Sequence, residues 1–518
     1  MNVSFYGAVR EVTGSMHLIA NKKDRILLDC GMFQGRRQEA KEKNTVMPFD
    51  PRIITNVVLS HAHIDHSGRL PLLTKKDFAG RIICTRATAA ACEYLLPDSA
   101  HIQESDAEYL NYKMVRAVIQ KMRGSKKEGT KRIKSLKKNG HQLDVDRINE
   151  LIDRFHLDAV SPLYRDADAQ EALTRFDGNP YRHPVTIGDG MTCTFYDAGH
   201  ILGSAISIIR ARNNGRSYTI GFTGDIGRFD KPILENPTLA FEEGDREIDL
   251  LIMESTYGDR LHEPVVDLKP KLKQVLVDTY DRGGTIMIPS FAFGRTQELL
   301  YVLHELYMEG DVPRFPVYVD SPLATNITRV FVEHPETYDE ETHTTFLEQG
   351  KNPFQFKEVK FVGSVEESIA LNRDQTPHIV VSASGMCEAG RILHHLRHKI
   401  HNANNTVLIV GYMAQNTLGR RIQELGEAYE AAGRKGDPPI LRFMNKDYPL
   451  KARVVKLGGF SAHADRDEMY RFLQKSNLNI KKIALVHGEE DQILAFEKDL
   501  KGNGFDVVVP KRGETLSL

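Results

Sequence analysis

The chain has 518 residues, with 69 Lys+Arg against 70 Asp+Glu, a net charge of −1 and 41% hydrophobic residues. At roughly 150 residues per domain this length suggests about three globular domains. Near-neutrality excludes a chain that coats nucleic acid through bulk charge, so any such affinity must come from a local patch or from metal ions.

Five cysteines (Cys30, Cys84, Cys92, Cys193, Cys387) lack CxxC spacing, which argues against a disulfide framework and for small core residues in a reducing compartment. The first twenty residues lack the charged and apolar regions of a secretion signal. No apolar run approaches the roughly 18 residues of a membrane span. The expectation is a cytoplasmic protein with no membrane partner.

In chain order, β-branched runs at residues 3–6, 16–20, 25–29 and 57–60 predict strands. Ser99 is expected to cap a helix whose apolar positions Ile102, Leu110, Met114, Val118 and Met122 recur mostly at four-residue spacing, up to Gly124. A second helix at 145–156 would bury Ile148, Leu151, Ile152 and Phe155. Between them, residues 111–140 hold eleven Lys/Arg against one acid, Glu128, a local charge of +10. Such a run reads first as a solvated helical excursion and second as a surface for RNA phosphates. After Glu254 the texture becomes Rossmann-like α/β: a strand at 285–289 leads into the FAFGRTQELL helix, and 316–320 and 378–382 repeat the strand-then-loop pattern. Near residue 450 the chain returns to strands and turns.

The sharpest chemistry is His61-Ala62-His63-Ile64-Asp65-His66, directly after a strand. In extended chain His61 and His63 project to one side, and Asp65 and His66 at the following turn can reach the same cavity. Imidazole and carboxylate suit zinc, and two zincs need about seven such groups with one carboxylate shared. His200 in DAGHILGS, Asp225 in FTGD and His487 in ALVHGEE supply three more, each in a loop after a β-rich run. His17, His101 and His183 read as ordinary core or surface histidines. The cluster His394, His395, His398 and His401 lacks an interleaved carboxylate and sits among Arg391, Arg397 and Lys399, so it is expected to be a solvated basic helix face.

HAHIDH with His200 and Asp225 resembles the metallo-β-lactamase superfamily. Glu254 in MESTYG, His463 in FSAHAD and His487 in VHGE resemble motifs A, B and C of its β-CASP nucleases, and SFAFGRTQE, DSPLA, SASGMCEAGR and GYMAQNTLGR resemble further loops of that group. The resemblance implies a four-layer αβ/βα metallo-β-lactamase domain (residues 1–255 and 453–518) interrupted by a Rossmann-like β-CASP domain (256–452). It implies two zinc ions, one on His61, His63, His200 and Asp225, the other on Asp65, His66, Asp225 and His487. His463 would be the general acid, with Glu254 orienting it and raising its pKa, and Asp29 would support the ligands from behind. A histidine at position 487 accompanies RNA substrates in this family, so the expected activity is endonucleolytic or 5′-to-3′ exonucleolytic hydrolysis of RNA. Loops carrying Arg295, Ser382, Ser384 and Gly385 are candidate anchors for RNA phosphates. Homodimerisation is left open, and the basic stretch matches none of the family motifs. A small-molecule hydrolase of the same fold would lack the insertion and the Glu254/His463 pair; a noncatalytic RNA-binding subunit would have lost ligands.

Overall fold

A computed structural model describes residues 1–35, 37–122, 126–138, 142–213, 215–310 and 312–518. Two seven-stranded sheets lie face to face. The first is built on Asn2–Gly7, Met16–Ala20, Arg25–Leu28, Asn56–Val58, Ile82–Thr85 and Phe176–Asn179, with Thr515–Ser517 at its edge. The second uses Val185–Gly188, Met191–Asp197, Ala205–Asn213, Arg216–Phe222, Leu250–Glu254, Ile483–Val486 and Val507–Val508.

The two-residue period of the strands sorts their side chains into layers. Ile26 and Leu28 of the first sheet share a core with Ile220, Phe222, Leu250 and Ile252 of the second, whereas Leu27 points the other way onto Leu70, Leu73 and Ala91 of flanking helices. Leu251 and Met253 likewise face Met469, Phe472, Ile493 and Phe496 on the opposite outside. The result is helix, sheet, sheet, helix, as the resemblance implies.

The third sheet has six parallel strands between Ile286 and Lys456. Ile286 and Ile288 pack on one helical layer and Met287 on another, so both faces are covered. Arg453–Lys456 pairs with Thr406–Ile409 as its edge strand, which places four residues of the expected C-terminal segment in the inserted sheet. The return to the first two sheets begins after Lys456.

The expected Ser99 cap is corrected. The helix starts at Arg86, where the Thr85 side chain accepts from the backbone N–H of Thr88, and it runs 36 residues to Lys121. Ser99 lies inside it, bonded to the Tyr164 hydroxyl at 2.8 Å. Pro97, which removes one helical hydrogen bond, is tolerated because Ala91, Leu95, Leu96 and Ala100 are buried around it. Beyond residue 110 this helix joins Lys126–Lys134 and Val145–Arg154 in a satellite with its own core of Tyr112, Val115, Ile119, Leu136, Ile148, Leu151 and Ile152. Lys113, Arg116, Lys121, Lys131 and Lys134 are exposed there, and residues 123–125 and 139–140 of the basic stretch lie outside the described residues. All five cysteines are buried and unpaired, as expected. Among the described residues no helix is long and apolar enough to cross a membrane.

Candidate metal centre and active site

The ligands expected from sequence converge at the carboxyl ends of strands from both seven-stranded sheets. His61, His63, Asp65 and His66 follow Asn56–Val58, the last two on the short helix Ile64–Ser67; His200 follows Met191–Asp197, Asp225 follows Arg216–Phe222, and His487 follows Ile483–Val486. His487 and Asp29 both take left-handed backbone, φ 52° and 57°. Non-glycine residues rarely adopt it, and it is a strain often stored at functional sites.

Three groups of donors share this cleft: His61, His63, His200 and Asp225; Asp65, His66 and His487; and Asp225, Glu254 and His463. Nε2 of His61 and Nε2 of His200 lie 3.1 and 3.3 Å from Nδ1 of His63, and Asp225 Oδ2 is 3.5 and 3.6 Å from the first two. Nε2 of His66 and of His487 are 3.1 Å apart; Asp225 Oδ2 is 3.3 Å from the former, and Asp65 Oδ2 is 3.6 Å from the latter. Asp225 Oδ1 is buried with no hydrogen-bond partner. Imidazole nitrogens crowded on one another around a buried, unsatisfied carboxylate fit a bound cation.

Behind the donors, two carboxylates each fix two rings. Asp29 accepts directly from His66 Nδ1 at 2.7 Å and from the Ser60 hydroxyl at 3.0 Å, and that hydroxyl stands 3.1 Å from His61 Nδ1. The Ser60 backbone N–H and the Ser15 hydroxyl complete its shell. Glu254 stands 3.1 Å from His463 Nδ1 and accepts from the Thr256 hydroxyl at 2.6 Å, which in turn lies 3.1 Å from His487 Nδ1. In a neutral ring, an Nδ1–H directed at these oxygens leaves Nε2 of His61, His66 or His487 as a lone pair facing the cleft, the form in which each can hold a metal.

Burial and mutual repulsion hold His61 and His200 well below the usual histidine range and His63 at about 4, so these rings stay neutral and available as donors. Against burial, neighbouring histidines push the Asp65 and Asp225 carboxyls down. Two rings differ: burial opposes their charge, but Asp225 and Asp29 raise His66 well above the usual histidine range, and the carboxylates of Glu254 and Asp225 raise His463 to about 9. His463 therefore carries a proton at neutral pH, and its side chain is 22% exposed, open to a substrate.

Two of the RNA anchors expected from sequence turn their side chains into the protein. Arg295 is buried, bonded to Glu298 at 2.5 Å with its guanidinium over the Phe460 ring. Ser382 is buried and donates to the Asp320 carbonyl. Both side chains are drawn inward because a parallel sheet buried on both faces must satisfy its polar groups internally. Ser384 is half-buried, its hydroxyl accepting from the backbone of Glu388 and Ala389, and Gly385 lies beneath the Phe291 ring. Ser60, Thr256 and Lys231 were not foreseen. The first two stand inside or beside recognised motifs; Lys231, which donates to the His200 carbonyl and pairs with Glu298 at 2.8 Å, carries no sequence signal.

The expected solvated face of His394, His395, His398 and His401 is corrected in part. His395 and Lys399 are fully buried, and His395 Nε2 donates to Asp320, 75 positions earlier, at 2.7 Å.

A donor-lined cleft at the strand ends of an αβ/βα sandwich, with a parallel-sheet domain inserted in the chain, defines a metallo-β-lactamase-type hydrolase. Three family models agree: the metallo-beta-lactamase superfamily over residues 9–137, the Beta-Casp domain over 296–422, and the Zn-dependent metallo-hydrolase RNA specificity domain over 447–510. The chain is 34% identical to Ribonuclease TTHA0252 of Thermus thermophilus, over 99% of both chains. It is 28% identical to Probable RNase MJ4 of Methanocaldococcus jannaschii over the full length of both, and 29% identical to the transcription termination factor FttA of the same organism, over 96% of this chain and 68% of that one. A crystal structure of an Enterococcus faecalis protein of unknown function shares the fold, with TM-score 0.50 and 14% identity over 100% of this chain and 99% of the other. The chain belongs to the β-CASP RNA-processing nucleases of the metallo-β-lactamase superfamily and is a metal-dependent, RNA-hydrolysing enzyme.

Proposed function

We propose that the cleft hydrolyses RNA phosphodiester bonds with two zinc ions, one held by His61, His63, His200 and Asp225 and the other by Asp65, His66, Asp225 and His487. The observation that carries this reading is Asp225 Oδ2 lying between two donor groups, 3.5 Å from His61 Nε2 and 3.3 Å from His66 Nε2, with the protonated His463 beside them and tied to Glu254. When bound, such ions supply Lewis acidity to the phosphoryl oxygens and lower the pKa of a water nucleophile. The protein's own part is the proton at the other end of the reaction. As water adds to phosphorus and the bond to the 3′-oxygen breaks, His463 gives its proton to that oxygen, leaving a 3′-hydroxyl and a 5′-phosphate. Glu254 keeps the ring oriented and charged until the transfer. Asp65 stays ionised, as acceptance of a proton from the attacking water requires. Endonucleolytic and 5′-to-3′ exonucleolytic cleavage both fit this chemistry, and a cytoplasmic setting fits the five unpaired cysteines.

His463→Ala tests the assignment. Cleavage of an RNA labelled in turn at each end, with a 5′-triphosphate or 5′-monophosphate, should slow by roughly 10²–10⁴-fold while two zinc equivalents remain bound. Loss of one equivalent would make His463 a ligand. Retained turnover would remove it from the proton transfer.

A further inference from the structure

The loop after the central strand Ile286–Pro289 turns two phenylalanines in opposite directions. Phe293 is 5% exposed and packs edge-on against His63, ring centroids 5.9 Å apart. Phe291, two residues earlier, is 40% exposed. Its position is fixed: the Phe291 carbonyl accepts from the Thr296 hydroxyl at 2.8 Å, and Gln297 bonds both the Gly294 N–H and the Ala292 carbonyl.

Two neighbouring strands end in glycines against the same ring. A Cβ at Gly385, after Ile379–Ser382, would come within 2.8 Å of it, and one at Gly411, after Thr406–Ile409, within 3.6 Å. Gly385 is thus required by close approach of its backbone. The residue after Gly411 is Tyr412, 54% exposed. On the inner side the Tyr257 ring lies 6.1 Å from that of His463, and burial, with Tyr412 nearby, pushes its phenol up. Aromatic rings therefore run from the proton donor to the carboxyl edge of the parallel sheet, the edge at which open α/β sheets receive ligands.

We propose that Phe291 and Tyr412 form a stacking surface for the bases of single-stranded RNA next to the scissile phosphate, on the side of the departing 3′-oxygen. This rests on the ribonuclease reading of the cleft and adds to it how the strand is held. Aromatic faces accept any base, so the surface positions RNA without selecting sequence, and it demands an unpaired strand because paired bases do not splay onto a protein ring. Loss of one such stack corresponds to roughly a 5- to 150-fold change in affinity.

The test walks a single abasic nucleotide through a short RNA and follows kcat/KM for the zinc-loaded wild type, Phe291→Ala, Phe291→Trp and Tyr412→Ala. Wild-type cleavage should fall at least about fivefold when the abasic site occupies one position upstream of the cut. Phe291→Ala should lose a similar factor on intact RNA and nothing further on the abasic RNA, and Phe291→Trp should recover most of the loss. Independent, multiplicative losses at every abasic position would overturn the proposal, as would full activity of both alanine variants on intact RNA. Zinc content and melting temperature of each variant separate a lost stack from a disturbed loop, and Phe291→Trp keeps the test decisive if Phe291→Ala does not fold. Failure of the wild type to cleave RNA would instead fall on the ribonuclease reading and remove the basis of the stacking surface with it.

Discussion

Two buried clusters in this protein are made of the same side chains and do opposite things. In the cleft, Asp225 sits among His61, His66, His200 and His487 with one oxygen unpartnered. In the inserted domain, Asp320 is equally buried but saturated: the Ser368 hydroxyl at 2.6 Å, the Arg391 guanidinium at 2.7 Å and His395 Nε2 at 2.7 Å all donate to it. The saturated carboxylate ties Val365–Arg373 to Ile392–Lys399 around the strand ends, although His395 Nδ1 has no hydrogen-bond partner. The unsaturated one leaves lone pairs for something outside the chain. Counting hydrogen bonds, not counting histidines, separates a structural cluster from a metal centre.

The sharpest way to break this comparison is to remove each carboxylate. Asp225→Asn should cut RNA cleavage by about 10³-fold or more and lower bound zinc, while far-ultraviolet circular dichroism and melting of the metal-free protein barely change. Asp320→Ala should do the reverse. It leaves the half-buried Arg391 and two buried donors, Ser368 and His395, without an acceptor, costing on the order of 3–5 kcal/mol of stability, with zinc stoichiometry unchanged in the folded fraction. A variant of Asp320 that loses zinc without losing stability would show the clusters to be one network.

A smaller effect sharpens the cleft side. Asp29 touches none of the lone pairs facing the cleft, yet it orients His66 directly and His61 through Ser60, one ring from each of two donor groups. Asp29→Asn should weaken zinc affinity by roughly 10- to 100-fold at both positions, measured by competition with a chelator, with activity restored at saturating zinc. Weakening at one position alone would break the link through Ser60.

The contrast also explains what the sequence could and could not show. The cleft ligands were legible because four crowd into six residues and the rest end strands that precede Gly-containing turns. The strands at residues 25–28 and 286–288 were legible as apolar runs, but not which layer each side chain faces, because Ile26, Leu27 and Leu28 and likewise Ile286, Met287 and Ile288 are all apolar. The Asp320–His395 bond was not, since it joins residues 75 apart and the local pattern of His394, His395, His398 and His401 is that of a basic surface helix. Tertiary packing buried one edge of that helix and supplied the carboxylate that local spacing lacks. The inward partners of the Arg295 and Ser382 side chains were hidden for the same reason: a polar residue in a loop motif says nothing about whether its side chain meets RNA or the protein's own interior. The 36-residue helix was missed at its start because Pro97 reads as a breaker unless the burial around it is known.

The last and smallest effect lies in pH. Burial holds His395 below its ordinary value of 6.5 despite the Asp320 carboxylate, so the folded protein keeps a neutral ring whose Nε2–H donates to the ionised aspartate, and Arg391 supplies the compensating charge. Asp320 itself is held low by His395, Ser368 and Arg391, against burial. A histidine whose folded pKa lies below its unfolded one contributes stability that is fully present above the unfolded value and is lost as pH falls toward the folded one, because the unfolded chain takes up the proton first. Wild type should therefore lose part of its urea midpoint as pH drops through 6.5. His395→Gln, which can still donate to Asp320 and does not titrate, should be spared that part, so the difference between the two proteins narrows with acidification. A difference that widens from pH 7.5 to 5.5 would mean that His395 is charged in the folded state, and the Asp320 cluster would then be an ion-pair network with no neutral ring in it.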